Sequence, residues 1–321
     1  AVTCDSSGNA WLFGGNGSGA ASGQWGILND LWKWDGANWT WMSGSDAPGQ
    51  AGTYGIEGTT APDNVPGARE FAGSWVDSTG ALWMLGGNGY AATTTTQGLL
   101  NDLWRWDGSA WTWLNGSDEP GAFGIYGAKG TAAPENGPGA RRAVVVLKNG
   151  AARVTVFGGS GYSSNGGHYL NDLWTWDGAN RTWTAGPRVT HRSAVYGTKG
   201  VAAPGNSPGA RMQAGSWSDP AGGGWFYGGD GYAETDGRGM LGDLWRWDGR
   251  NWTWASGSGE LHQAAVYGTK GVGAAENRPG ARNAPATWRT PNGDLWLFGG
   301  QSPTGHTMND LWRWDGTSWT W

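Results

Sequence analysis

The four histidines of this chain hold places fixed by a repeat. His168 and His306 each stand four residues before an Asp-Leu-Trp (Asp172, Asp310), and His191 and His262 each stand five residues before a Tyr-Gly (Tyr196, Tyr267). Imidazoles gathered on loops can bind a transition metal, here with Asp230, Glu234, Asp236 or Glu260 as further donors. Equivalent positions in successive repeats are related by rotation, however, which sets them too far apart to share an ion with bonds of about 2 Å. The spacing therefore favours solvated loop imidazoles. The metal-enzyme reading requires a bound ion that is lost on changing His191 and His262.

A second chemistry is aromatic. Of the 27 tryptophans, 26 recur at equivalent places in predicted strands, where packing accounts for them. Trp25 alone lies outside the repeat. For a sugar-binding surface the candidates are Trp25 and the loop tyrosines Tyr90, Tyr162, Tyr169 and Tyr232, with Asp230, Glu234 and Asp236 to hydrogen-bond. The repeated acids, Asp30 and Asp35 with their counterparts, invite paired-carboxylate catalysis, but repetition argues for structure. Asp before Gly serves a turn, and Asp30 is expected to accept backbone N–H groups where its strand begins. There is no nucleophile elbow, phosphate loop or His-Glu metal helix.

Those residues are positioned by a unit seen first as Asn29–Trp41, which returns as Asn101–Trp113, Asn171–Trp183, Gly242–Trp254 and Asn309–Trp321. Large apolar residues alternate over two short runs about an Asp-Gly turn, the pattern of a β-hairpin. Trp34 should face Trp39, and Trp32 should face Trp41. Before each hairpin come two more predicted strands, the second ending in Gly-Gly (Gly14, Gly86, Gly158, Gly228 and Gly299 with the glycine after each). A lone hairpin cannot bury such a face; stacked copies can. Expected blades are 1–41, 69–113, 141–183, 211–254 and 282–321, together one propeller over 1–321.

Spacing separates fixed from variable parts. From Trp41 to Arg69 is 28 residues, and the same span recurs before Arg141, Arg211 and Arg282. It carries Tyr-Gly (Tyr54, Tyr126, Tyr196, Tyr267) and an Asn before Pro-Gly-Ala-Arg (Asn64, Asn136, Asn206, Asn277). A floppy linker needs no such registration, so an ordered loop is predicted. Only the stretch from Gly-Gly to the anchoring Asp varies, from 10 to 15 residues. These long loops are expected on one face and the tight turns on the other, and binding residues concentrate on loops held by a rigid scaffold.

Gly-Gly after an apolar strand, a Tyr soon after (Tyr90, Tyr162, Tyr232), Asp-Leu-Trp-x-Trp-Asp and the Arg opening four of the units (Arg69, Arg141, Arg211, Arg282) together resemble the kelch repeat. The resemblance spans the whole chain and implies an all-β propeller of four-stranded antiparallel blades, five here, with no strand shared between the termini. The kelch period is nearer 50 residues; here the Asp anchors lie 67 to 72 apart. Galactose oxidase has a similar propeller, and its copper site needs two His, two Tyr and a Cys joined to one Tyr. The only cysteine, Cys4, stands in a predicted first strand with no tyrosine before Tyr54, so the resemblance stops at the scaffold and no cofactor is implied.

Composition narrows the classes. The net charge of −5 and the absence of a basic run exclude an electrostatic nucleic-acid surface. No apolar stretch approaches the ~18–20 residues of a membrane span. Sixty-two glycines read as turn punctuation, and Cys4 as a small buried strand residue. The start of the sequence reads as processed or excised from a longer chain. Sequons at Asn16, Asn38, Asn115, Asn180 and Asn251 would carry glycans only in a glycosylating source. Blade three departs from the pattern: Arg181 replaces the Trp39 equivalent and Thr155 the second-strand Trp, a local exception that marks either a partner-contact edge or drift in one copy. The expected function is a non-catalytic, extracellular or cell-surface binding or scaffolding propeller, working through protein partners or self-assembly. The alternatives are a lectin-like propeller and the metal-dependent enzyme.

Overall fold

The computed structural model describes residues 1–21, 23–92, 97–149, 153–220, 222–235 and 237–321. Every regular element among them is a β-strand. No helix is long and apolar enough to cross a membrane. The first sheet takes Val2–Cys4, Ala10–Ser18, Trp25–Trp34 and Trp39–Ser43 in that order. The second is built on Gly73–Val76, Leu82–Gly89, Gly98–Trp106 and Trp111–Asn115, the third on Val145–Asn149, Arg153–Tyr162, Gly167–Trp176 and Arg181–Ala185. Gly215–Ser218, Gly224–Tyr227, Asp243–Trp247 and Trp252–Gly257 make the fourth. Ala286–Arg289, Leu295–Phe298, Leu311–Trp314 and Trp319–Thr320 make the fifth.

The chain forms two compact units. One is Ala1–Val144 with Gly161–Gly167 and Ala179–Thr182; the other is Val145–Ser160 with His168–Gly178 and Trp183–Trp321. The residues of the third sheet are divided between them.

Tryptophan pairing sets the register within the first, second and fourth hairpins. Trp32 pairs with Trp41 and Trp34 with Trp39, as alternation requires, and Trp104–Trp113, Trp106–Trp111, Trp245–Trp254 and Trp247–Trp252 repeat it. The turn is closed by Asp35, whose Oδ1 accepts the amides of Ala37 (2.8 Å) and Asn38 (2.7 Å). In the first unit Phe13 meets Trp111 edge-on at 5.6 Å inside a core with Trp11, Leu31, Trp104 and Trp106. In the second, Phe157 packs on Phe226 and Trp252, and Tyr227 on Trp319. Each fully buried indole removes roughly 150–250 Å² from water, about 4–6 kcal/mol of transfer free energy.

Gly-Gly marks where backbones crowd. A Cβ on Gly86 would lie 2.6 Å from the Leu100 carbonyl oxygen and 2.7 Å from that of Arg141, and φ there is +59°. Only glycine fits both demands.

The repeated Arg and Asp residues form buried nodes. The Arg69 guanidinium grips Asp102 with two bonds of 2.6 and 2.7 Å and donates to the Gly67 and Gly86 carbonyls. Asp102 Oδ2 also accepts the Tyr54 hydroxyl (2.6 Å) and the Trp104 indole N–H (2.7 Å). Arg211–Asp243–Tyr196–Trp245 and Arg282–Asp310–Tyr267–Trp312 repeat the arrangement. The carboxylate thus serves side chains, which corrects the expectation of backbone partners. Asp30 likewise accepts the Trp32 indole N–H at 2.6 Å. Burial and then the Asp102 charge push the Tyr54 hydroxyl far up, so it stays a donor at any physiological pH.

The constant connections are ordered. Thr53 bridges Val65, Ile125 bridges Gly137, Val195 bridges Ser207 and Val266 bridges Arg278. Asn64 ties its loop together by donating to Thr59 O (3.0 Å) and Trp111 O (3.2 Å), and Asn206 and Asn277 do the same. Thr60–Ala61 pairs with Trp111–Thr112, so the loop lies along the outer edge of the next sheet before returning to Arg69. Ala203 on Trp252 and Ala274 on Trp319 repeat this cover. The constant connection thereby shields an edge strand.

Two expectations are corrected. Cys4 is exposed, at the end of its strand beside a polar turn. Arg181 presents no edge to a partner: it is buried and donates to Asn115 Oδ1 and, at 2.9 Å, to Pro134 O. Burial pushes its pKa down to about 10.

Candidate functional site

Five of the residues singled out by sequence meet in the second unit. His191 is placed by its backbone, its amide donating to Tyr169 O at 2.9 Å. The same loop-to-strand bond runs from Gly49 to Ile27 O, from Gly121 to Leu99 O and from His262 to Met240 O. All four donors have positive φ: 74° and 85° at the glycines, 59° at both histidines. Glycine takes this conformation freely; a side chain there is uncommon and costs energy. Two repeats thus accept strain to hold an exposed imidazole.

The rings then form a continuous patch. His191 lies 5.1 Å from His168 and 5.5 Å, edge to face, from Tyr232. Tyr232 is 6.1 Å from Tyr169, whose hydroxyl donates to Asp230 Oδ2 at 2.9 Å. Arg238 donates to both carboxylate oxygens of Asp230, Nε at 3.2 Å and Nη2 at 2.5 Å, and its guanidinium sits 4.8 Å from the Tyr169 ring. That hydrogen bond holds the Arg238 pKa above its usual value. His262 stands against Gly239, its ring filling the place a Cβ there would take. Slight burial and the neighbouring His168 lower the His191 pKa.

His168, His191, Glu234 and Arg238 are solvent-exposed while Tyr169 and Asp230 are buried beneath them. The arrangement offers ring faces, imidazole nitrogens and a guanidinium fixed by an acid. Among the described residues no three His, Cys, Asp or Glu side chains gather as a metal site. His306 is exposed within its own turn, its amide held by Ser302 Oγ.

The remaining candidates stand elsewhere. Trp25 is 70% exposed, opposite Ser18 in its hairpin. The Tyr90 hydroxyl accepts from the Gln97 amide at 3.5 Å. Tyr162 meets the exposed Phe123 edge-on at 5.3 Å. Glu234 donates its amide to Gly259 O. Asp236 lies outside the described residues. Sequence reasoning missed Arg238 and Phe123. Arg238 belongs to a variable loop without a repeated counterpart, whereas Phe123, two residues after Gly121, could have been marked as an apolar residue in a polar loop.

No family model matches the chain, and no curated protein matches it. The solved structure of YjhT is similar over 97% of this chain and 79% of that one, with a TM-score of 0.57 and 14% identity. At that identity the likeness carries the fold alone. The chain is an all-β propeller with several four-stranded antiparallel sheets.

Proposed function

We propose that the chain is a kelch-type, non-catalytic binding propeller, secreted or displayed at a cell surface, that holds a protein partner on its inter-blade loops. The observation that carries this reading is apolar exposure on ordered loops. Ile56, Phe123, Ile125, Val195, Val201 and Val272 all stand more than half exposed on segments pinned by backbone bridges or Asn side chains. Rigid loops that present apolar side chains lose little entropy on docking, and loops on a rigid scaffold are where binding residues concentrate.

A second reading rests on the His168–His191–Tyr232–Arg238 patch. It is polar, ring-lined and poor in aliphatic surface, which suits a saccharide better than a protein core. The two readings separate experimentally. Protein partners captured by proximity labelling at the source surface should be lost on Phe123→Ser with Ile125→Ser and kept on Tyr232→Ala. Saccharide binding on a glycan array would show the reverse dependence. Partner binding indifferent to the loop substitutions would overturn the protein reading.

A further inference from the structure

Two places in the repeat lie against each other in each of the first four copies, and only in the third are both filled by imidazoles. The first place stands three residues before the residue that opens each hairpin unit: Gly26, Gly98, His168 and Gly239. The second lies in the connection that follows, five residues before its Tyr-Gly: Gly49, Gly121, His191 and His262. One backbone bond keeps the two together, because each second-place amide donates to the carbonyl just beyond the first place, that of Ile27, Leu99, Tyr169 or Met240. Side chains show the same closeness. A Cβ on Gly98 would lie 2.6 Å from the Pro120 Cβ, and one on Gly239 2.4 Å from His262 Nε2.

The third repeat puts a ring at each place. The His168 and His191 centroids are 5.1 Å apart, with the planes inclined by 43°, and both side chains are exposed. Both residues hold positive φ, 148° and 59°, where a side chain costs energy; glycine serves at the same places in the first two repeats. The rotation that separates equivalent histidines of different repeats does not act here, since the two rings come from different places of one repeat. Their separation is that of two ligands on one ion. A metal–nitrogen bond of about 2.0–2.1 Å sets an imidazole centroid roughly 3 Å from the metal, so two rings on a tetrahedral ion stand about 5 Å apart.

We propose that His168 and His191 form a two-imidazole site for a divalent first-row transition-metal ion, zinc being the simplest case. Imidazole suits zinc, copper and nickel. Among the described residues no further His, Cys, Asp or Glu makes the pair a set of three, so the other positions of the ion go to water or to oxygen atoms of a bound molecule. A metal with open positions meets ligands, whereas one that staples a fold is closed by protein. Burial and then His168 lower the His191 pKa, which lessens competition from protons. The fourth repeat supplies the contrast: His262 has the same φ of 59° but faces Gly239, and one imidazole stands alone. The site rests on neither reading of the proposed function.

The test is calorimetric titration of the untagged protein with zinc chloride, with no saccharide or protein partner present. Wild type should bind zinc at one site. His168→Gly and His191→Gly install the residue that the first two repeats carry, so both should keep the wild-type melt. Each should weaken zinc by about tenfold or more, since even a group that merely orients a ligand is worth about 10–100-fold. His262→Gly should leave the affinity unchanged. In NMR spectra of the wild type, zinc should shift the ring protons of His168 and His191 together and leave those of His262 and His306 in place, a readout that stands should either glycine variant fold poorly. No uptake at submillimolar zinc, or undiminished uptake in either glycine variant, would overturn the proposal. So would an equal loss in His262→Gly, or ring shifts that spare His168 or His191.

Discussion

The His191 imidazole rests 5.1 Å from that of His168, on a backbone conformation that the first two repeats give to Gly49 and Gly121. A strained residue that the fold does not require, set among exposed rings, points from geometry to use. It also makes stability and binding separable. His191→Gly should leave the melting temperature unchanged or raise stability by up to about 1 kcal/mol, while weakening any ligand that contacts the patch. Thermal denaturation and titration of the same sample check both halves. A large loss of stability would mean that the ring is structural.

The proximity of the two imidazoles has a pH consequence. Burial and then His168 lower the His191 pKa below that of the unfolded chain, so between the two values the unfolded state binds more protons and stability rises with pH. Protonation of both rings places like charges together. In an NMR titration His191 should respond below the usual histidine value of about 6.5, and His168→Gln should move it upward. An unmoved titration would remove the coupling.

The buried Arg–Asp nodes should dominate the stability of each blade. Asp243→Ala leaves the Arg211 guanidinium buried without its counter-charge and strips the hydrogen bonds of Tyr196 and Trp245. The expected cost is about 3–5 kcal/mol by urea denaturation. Asp30→Ala, which removes the Trp32 bond of a partly exposed acid, should cost about 1 kcal/mol. Equal losses at the two positions would deny the nodes their role.

Backbone crowding at Gly-Gly predicts a contrast between two glycines. Gly86→Ala drives a Cβ into the Leu100 and Arg141 carbonyls, for an expected loss of about 2–4 kcal/mol. Gly166 has open space around it, and Gly166→Ala should fall within about 0.5 kcal/mol of wild type. Chemical denaturation of the pair reads the difference directly.

Much of the fold was legible because the repeat speaks five times. The Trp32–Trp41 and Trp34–Trp39 pairs, the Asp35 turn and the ordered 28-residue connection all follow from alternation, turn chemistry and constant length. The Arg–Asp–Tyr–Trp node was legible only in part: its four residues recur in register, but nothing in one dimension shows that Asp102 faces side chains and not amides. Arg181 misled because a charge in an indole's place suggests exposure, whereas Asn115 and the Pro134 carbonyl receive it in the interior. The site was harder still. His168, His191, Tyr169, Asp230 and Tyr232 could be named from their loops, but nothing in one dimension shows that their rings meet. Arg238 sits where loop length varies, so the repeat could not flag it.

The most direct test of binding through ordered loops is a quantitative affinity measurement with the captured partner across two variants that keep the wild-type melt. Phe123→Ser with Ile125→Ser is expected to weaken the partner at least tenfold, about 1.4 kcal/mol, while Tyr232→Ala leaves it unchanged. Undiminished affinity in the loop variant would contradict the proposal, and a loss confined to Tyr232→Ala would move the function to the His191 patch.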